Sequence, residues 1–195
     1  MEPRRRLFVL IVAAALAAGP LAGPAAARIL LTQPQALALA FPDGQRIERK
    51  TAFLTPEQVA AAQKDGQVKI DTGLWTYYVG VSSRGVTGYA YFDTHVVRTS
   101  PETLMVVLEP SGEVRSVEVL SFLEPDDYLP NPRWLGQFDK KALRDELFAH
   151  RGIRNLSGAS LTSEAAASAV RRVLAVHARI QAAAAAEAEK VKSKR

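Results

Sequence analysis

Residues 74–93, LWTYYVGVSSRGVTGYAYFD, decide the fold. Trp75, Tyr77, Val79 and Val81 fall on one side of an extended chain, and Thr76 and Tyr78 on the other. That period of two is the signature of a strand. Ser82-Ser83-Arg84-Gly85 then supplies a turn, and residues 88–93 alternate again as a second strand. Two more strands are predicted at 103–108 and 113–122, joined by Pro110-Ser111-Gly112. Upstream, residues 33–41 suit a short helix and 46–53 a strand. Thr55-Pro56-Glu57 opens a further helix in good order, with a capping hydroxyl, a proline at the first helical position and an acid in the first turn; Asp65-Gly66 ends it. Downstream, Pro125, Pro130 and Pro132 make residues 124–132 a loop, and a helical run is expected over 140–149. A last helix is expected from about Ser163, with Ala166, Val170, Val173, Leu174 and Ile180 along one face. Helices segregated from an antiparallel meander imply an α+β domain.

That domain is expected over residues 28–180. The low-complexity stretch 181–195 keeps helix propensity but has Val191 as its one large apolar residue, so a protruding, fraying basic tail is expected. Its Lys190, Lys192, Lys194 and Arg195 suit the C-terminal end of a helix dipole, with a weak contact to an anionic membrane surface as the alternative. Residues 1–27 read as a secretory signal. Arg4-Arg5-Arg6 precedes an apolar run, helix breakers follow, and Ala25-Ala26-Ala27 offers small residues for cleavage before Arg28. The run from Leu7 to Ala18 is 12 residues, short of the ~20 a spanning helix needs, so cleavage rather than anchoring is expected. Location is therefore expected to be periplasmic or otherwise extracytoplasmic.

The 195 residues contain no cysteine, which excludes disulfides, thiolate metal sites and Cys nucleophiles. Net charge is +5, of which the leader carries +2. The remaining +3 is too small to argue for nucleic acid. His95, His150 and His177 are scattered, without metal-ligand spacing. Asp93 and His95, two apart on one strand, are neighbours on a face and read first as a strand-end salt bridge; with Arg98 they are candidates to line a polar pocket. No G-x-S-x-G elbow is present to place a serine nucleophile.

The informative motif is Leu156-Ser157-Gly158-Ala159-Ser160-Leu161-Thr162-Ser163, a loop of small residues running into a helix. Gly158 and Ala159 allow close backbone approach. Thr162 or Ser163 is a candidate cap. The free N–H groups of the first turn, at the positive end of the helix dipole, favour a phosphate that the hydroxyls can bind or be esterified by.

SGASLTS resembles the S-G-A-T-x-[ST]-S motif of the FMN-binding domain family, which includes the FMN-carrying subunits of sodium-pumping and Rnf-type redox complexes and many small exported flavoproteins. The likeness extends over roughly residues 89–176. It takes in the 104–119 hairpin, Phe122-Leu123-Glu124-Pro125, residues 134–138 and Arg151-Gly152-Ile153. In that family a dedicated FMN transferase esterifies FMN, through its phosphate, to the hydroxyl that ends S-G-A-T. The resemblance implies Ser160 as the attachment residue, with Ser157, Gly158, Ala159, Leu161 and Thr162 around the cofactor and Glu124 at the family's glutamate position. Two positions depart from the pattern. Ser160 stands where threonine is usual, and Arg154 stands where an aspartate is common and is a candidate partner for the phosphate.

The expected function is an exported FMN-carrying electron-transfer protein. Its expected partners are an FMN transferase and membrane-bound or exported redox proteins. The competing expectation is a flavin-free exported binding or assembly module, in which the same loop only starts a helix.

Overall fold

The computed structural model of the chain describes residues 28–42 and 45–193. The expected signal, residues 1–27, lies outside them, as do Lys194 and Arg195 of the tail. Alternation produces an antiparallel sheet of six strands: β1 (Arg28–Ile29), β2 (Arg46–Phe53), β3 (Leu74–Ser82), β4 (Gly85–Val97), β5 (Ser100–Leu108) and β6 (Val114–Phe122). Their order is β1-β6-β5-β4-β3-β2. From β2 to β6 every strand pairs with its successor, and β1 returns to the free side of β6. With its helices on the sheet faces, this is an α+β fold.

The β4–β5 hairpin is longer than the alternation indicated. Its ladder runs from Tyr89 opposite Leu108 to Val97 opposite Ser100, with Arg98 in a left-handed turn at φ 52°. Consequently β5 lies in the middle of the sheet and is buried on both faces. Leu104, Val106 and Leu108 face one cluster, and Met105 and Val107 face the other, all at 0% exposure. A strand apolar on both faces requires cover on both. Helix α1 (Gln33–Ala40) lays Ala36 and Ala40 on the Met105 side. Helices α2 (Pro56–Gly66) and α4 (Ser160–Ser193), with the short α3 (Pro132–Leu135), take the Leu104 side.

Helix α2 starts with a reciprocal capping box. Gln58 N–H donates to the Thr55 hydroxyl, and Thr55 N–H donates to Gln58 Oε1 at 2.8 Å. It ends where Gly66 lets α4 come close: a Cβ there would lie 3.0 Å from that of Ala175. Arg171 seals the junction, donating to the carbonyls of Gly66 and Gln67 at 3.2 and 3.0 Å, orphan acceptors at a helix end.

Three expectations need correction. Residues 140–149 are not a helix. Lys140 sits at φ 61°, its N–H donates to Val114 O at 2.7 Å, and Lys141 O accepts from Val114 N. Asp145 closes a turn on Ala142 N–H, and the segment ends in the small pair β7 (Phe148–Ala149) and β8 (Gly152–Ile153). The Lys140 N–H and the Lys141 carbonyl are thus taken by Val114 at the start of β6 instead of by a helix. The proline-rich stretch is not wholly irregular either: a 3-10 turn occupies Asp126–Tyr128, and Pro132 is the first residue of α3, capped by the Asn131 side chain. Third, α4 starts at Ser160, not near Ser163, and neither Thr162 nor Ser163 is its cap.

The α4 positions expected inward, Ala166, Val170, Val173, Leu174 and Ile180, are all buried. The helix continues past them, exposed from residue 182 to 193. Deleting residues 182–195 should therefore change unfolding free energy in urea by no more than ~0.5 kcal/mol, as for surface changes generally. Leu104→Ala, at 0% exposure, should cost about 2–5 kcal/mol in the same measurement.

Candidate functional site

The site is built where α4 begins. Residues 156–159 form a tight turn, with Ala159 N–H donating to Leu156 O at 3.0 Å and Gly158 at φ +75°, a conformation only glycine takes without strain. Open space surrounds the place a Cβ would occupy on Gly158. The helix starts directly afterwards, which is why the capping expectation failed. Ser163 lies in the first turn, where its hydroxyl donates to Ala159 O at 3.1 Å and accepts from Leu156 N–H at 2.8 Å, pinning the turn from inside.

The motif residues consequently divide. Ser157, Gly158, Ser160 and Leu161 are exposed, while Ala159 and Thr162 are buried at 1% and 2%. Thr162 is buried as a residue, and the motif's exposed hydroxyl-bearing residues are Ser157 and Ser160. The N–H groups of Ser160, Leu161 and Thr162, first in the helix, have no intrahelical acceptor. Donors of that kind can take a phosphate, with the exposed Ser157 and Ser160 beside them and no side chain on Gly158 to obstruct approach.

Glu124 is not in the motif's own turn. Its carboxylate accepts from the N–H groups of Thr99 and Ser100, at 3.3 and 3.1 Å, and so holds the β4–β5 turn. That turn presents Arg98, whose guanidinium lies 4.6 Å from the centroid of the Tyr128 ring. Arg98 at the β4–β5 turn and Leu161 of α4 both line one groove of about 300 Å³. Glu124 itself does not line that groove and bears on it by holding the turn that carries Arg98. On the other flank of the motif, Arg154 and Ser157 line a hollow of about 290 Å³.

Beside the groove runs a buried ionic chain. Arg172 donates to both Asp93 carboxylate oxygens at 2.8 and 2.7 Å. His95 donates from Nδ1 to Asp93 at 2.9 Å and from Nε2 to Glu102 at 3.0 Å. The expected Asp93–His95 bridge is present; of the expected pocket, His95 and Arg98 line the groove together, while Asp93 and His95 line a larger cleft on the other side. Arg172 of α4 and Glu102, the cross-strand partner of His95, extend the bridge. Sequence spacing could not bring Arg172 to Asp93; the His95–Glu102 pairing was readable only from a hairpin extended past Asp93. Glu102 Oε1 is buried and has no hydrogen-bond partner among the described residues.

Burial opposes a charged imidazole at His95, but the hydrogen bonds and charges of Asp93 and Glu102 outweigh it and raise the group to about 9. Burial likewise opposes the Asp93 carboxylate, and His95 with Arg172 outweighs it, holding that carboxyl below its ordinary value. His177, 2.9 Å from the Tyr91 hydroxyl and with no charged partner among the described residues, is pushed down by burial to about 4.

Comparison with family models, curated proteins and solved structures found no match to this chain.

The two histidines predict a two-sided stability profile. Between pH 6.5 and about 9 the unfolded chain loses the His95 proton that the folded chain keeps, so stability falls as pH rises. Between pH 6.5 and about 4 the unfolded chain gains a His177 proton that the folded chain refuses, so stability falls as pH drops. The depressed Asp93 adds to that acid loss. Denaturant unfolding across pH should show His177→Gln flattening the acid limb only, and His95→Gln flattening the alkaline limb while also weakening the Asp93 share of the acid one.

Proposed function

We propose that this chain is an exported, FMN-carrying electron-transfer protein. Its FMN phosphate is held at the start of α4, through an ester to Ser160. The observation that carries the reading is the exposed turn of residues 157–160, which leads into unpaired helix N–H groups beside a groove of about 300 Å³. That volume lies at the lower end of the ~300–1,000 Å³ usual for ligand pockets, and the larger cleft lies on the other side of His95, Val96 and Arg172, which line both.

In this reading the N–H groups of Ser160, Leu161 and Thr162 receive the phosphate, favoured by the helix dipole. Arg154, exposed beside Ser157, supplies a cation nearby. Leu161 and Arg98 form the groove walls, and Glu124 holds the Arg98 turn in place. Bound FMN supplies the redox chemistry; the chain supplies binding, orientation and electrostatics. The ester keeps the cofactor in a compartment that does not replenish it. The donors and acceptors in this reading are membrane-bound or exported redox proteins, and an FMN transferase installs the group.

The test is co-expression with an FMN transferase, followed by intact-mass measurement and in-gel flavin fluorescence. The expected product is yellow and carries one FMN less one water. Ser160→Ala should abolish the covalent signal completely, while Thr162→Ala should leave it. A colourless chain of unmodified mass, under conditions that load an authentic family member, overturns the reading in favour of a flavin-free module.

A further inference from the structure

We propose that the surface around Arg133 and Arg154 docks an extended acidic segment of a partner protein, whose carboxylates enter two adjoining hollows. The first, of about 290 Å³, is lined by Asn131, Arg133, Gln137, Arg154 and Ser157 around Trp134. The second, of about 470 Å³, has His150 in its lining. Arg154 and Asn155 belong to both. Among the described residues, no aspartate or glutamate lines either one.

Donors and acceptors in this lining are unequally free. Asn131 Oδ1 accepts from Trp134 N–H at 2.9 Å, Gln137 Oε1 from Arg154 N–H at 2.9 Å, and Asn155 Oδ1 from His150 N–H at 3.1 Å. The Arg154 carbonyl accepts from the Trp134 indole at 2.7 Å and from Gln137 Nε2 at 3.3 Å. The side-chain amide acceptors are thus taken up within the chain. The guanidinium groups of Arg133 and Arg154 are exposed and make no hydrogen bond or ion pair among the described residues. His150 Nε2 accepts from Asn155 Nδ2 at 2.6 Å, which puts the proton of the neutral ring on Nδ1. A ligand that brings negative charge and acceptors alone matches this set, and a carboxylate is such a group.

The two cations are also fixed relative to each other. Arg154 is tied through its N–H and its carbonyl to Trp134 of α3 and to Gln137 just after it, and Arg133 is the neighbour of Trp134 in the same helix. Like charges sharing one hollow repel, and an incoming carboxylate relieves that repulsion. Each guanidinium offers a fork that a carboxylate fills with two bonds. Because the donors are spread over two hollows, successive carboxylates of an extended chain fit them better than one compact anion. The inference goes beyond the flavin reading and stands without it.

Hexaglutamate, acetylated and amidated at its ends, tests the docking when titrated into the full-length Ser160→Ala chain at constant ionic strength. The two tryptophans give separate indole N–H signals in an amide correlation spectrum. The Trp134 indole and the amides of Arg154, Asn155 and Ser157 should shift saturably, while the Trp75 indole stays still and hexaglutamine shifts nothing. Arg133→Gln and Arg154→Gln, both at exposed positions, should each weaken binding about tenfold, the size of one lost charge-assisted hydrogen bond. Shifts that fail to saturate, that centre on the basic tail at Lys190 and Lys192, or that ignore both substitutions overturn the proposal. So do shifts confined to the amides of Ser160, Leu161 and Thr162, which would put the anion at the helix start. Inorganic phosphate that displaces the peptide at equal charge overturns it as well, since the hollow would then be a site for a compact anion.

Discussion

Two carboxylates, Asp93 and Glu102, are buried at the end of the sheet where the β4–β5 hairpin turns, at 4% and 1% exposure. Burying one unpaired charge costs several kcal/mol even after relaxation. The fold can therefore keep them there only if cations arrive with good geometry. One arrives from the same strand as His95, and the other from α4 as Arg172. The second contact is the one with architectural consequences. It fixes the long helix against β4 at a set position along its axis. The first turn of α4 must then emerge beside the hairpin end, with Leu161 and Arg98 both lining the groove. A buried ion pair is weak evidence for net stability; here its contribution is register.

The apolar contacts of α4 supply the adhesion that the ion chain orients. Small residues dominate its inner face, with Ala166, Ala167, Ala169 and Ala175 all at 1% exposure or less. Small side chains permit close packing and leave the fine position along the axis loosely specified. Arg171 and Arg172 settle it from adjacent positions. The first seals the C-terminal carbonyls of α2, and the second clamps Asp93. Both bonds are charge-assisted and geometrically demanding, so a helix shifted by one residue would lose both.

Much of this was legible in the chain. The meander showed through because its strands alternate and its turns carry Gly, Ser and Pro, and α2 announced itself through Thr55-Pro56-Glu57. The misreadings share one cause. Over 140–149 the composition suits a helix, yet Lys140 and Lys141 make their backbone bonds to Val114, far away in sequence. At the start of α4, Ser163 looked like a cap because a hydroxyl before an apolar run usually is one. The Gly158 turn let the helix begin three residues sooner and drew that hydroxyl inside. Arg172 was invisible for the same reason: its partner lies 79 residues away. Local pattern reports local bonds, and the site is made of long-range ones.

The ionic chain also explains why two cavities coexist at one end of so small a domain. A wall between two neighbouring cavities has to be rigid, or they merge into one. Apolar side chains alone would hop between rotamers or collapse into the space. His95 is fixed at both ring nitrogens and Arg172 at three hydrogen bonds, so neither can swing without stranding a buried carboxylate. Because Arg172 and His95 are balanced by Asp93 and Glu102, the chain divides the two spaces without adding net charge of its own to either, and the same four side chains keep the hairpin end from coming apart.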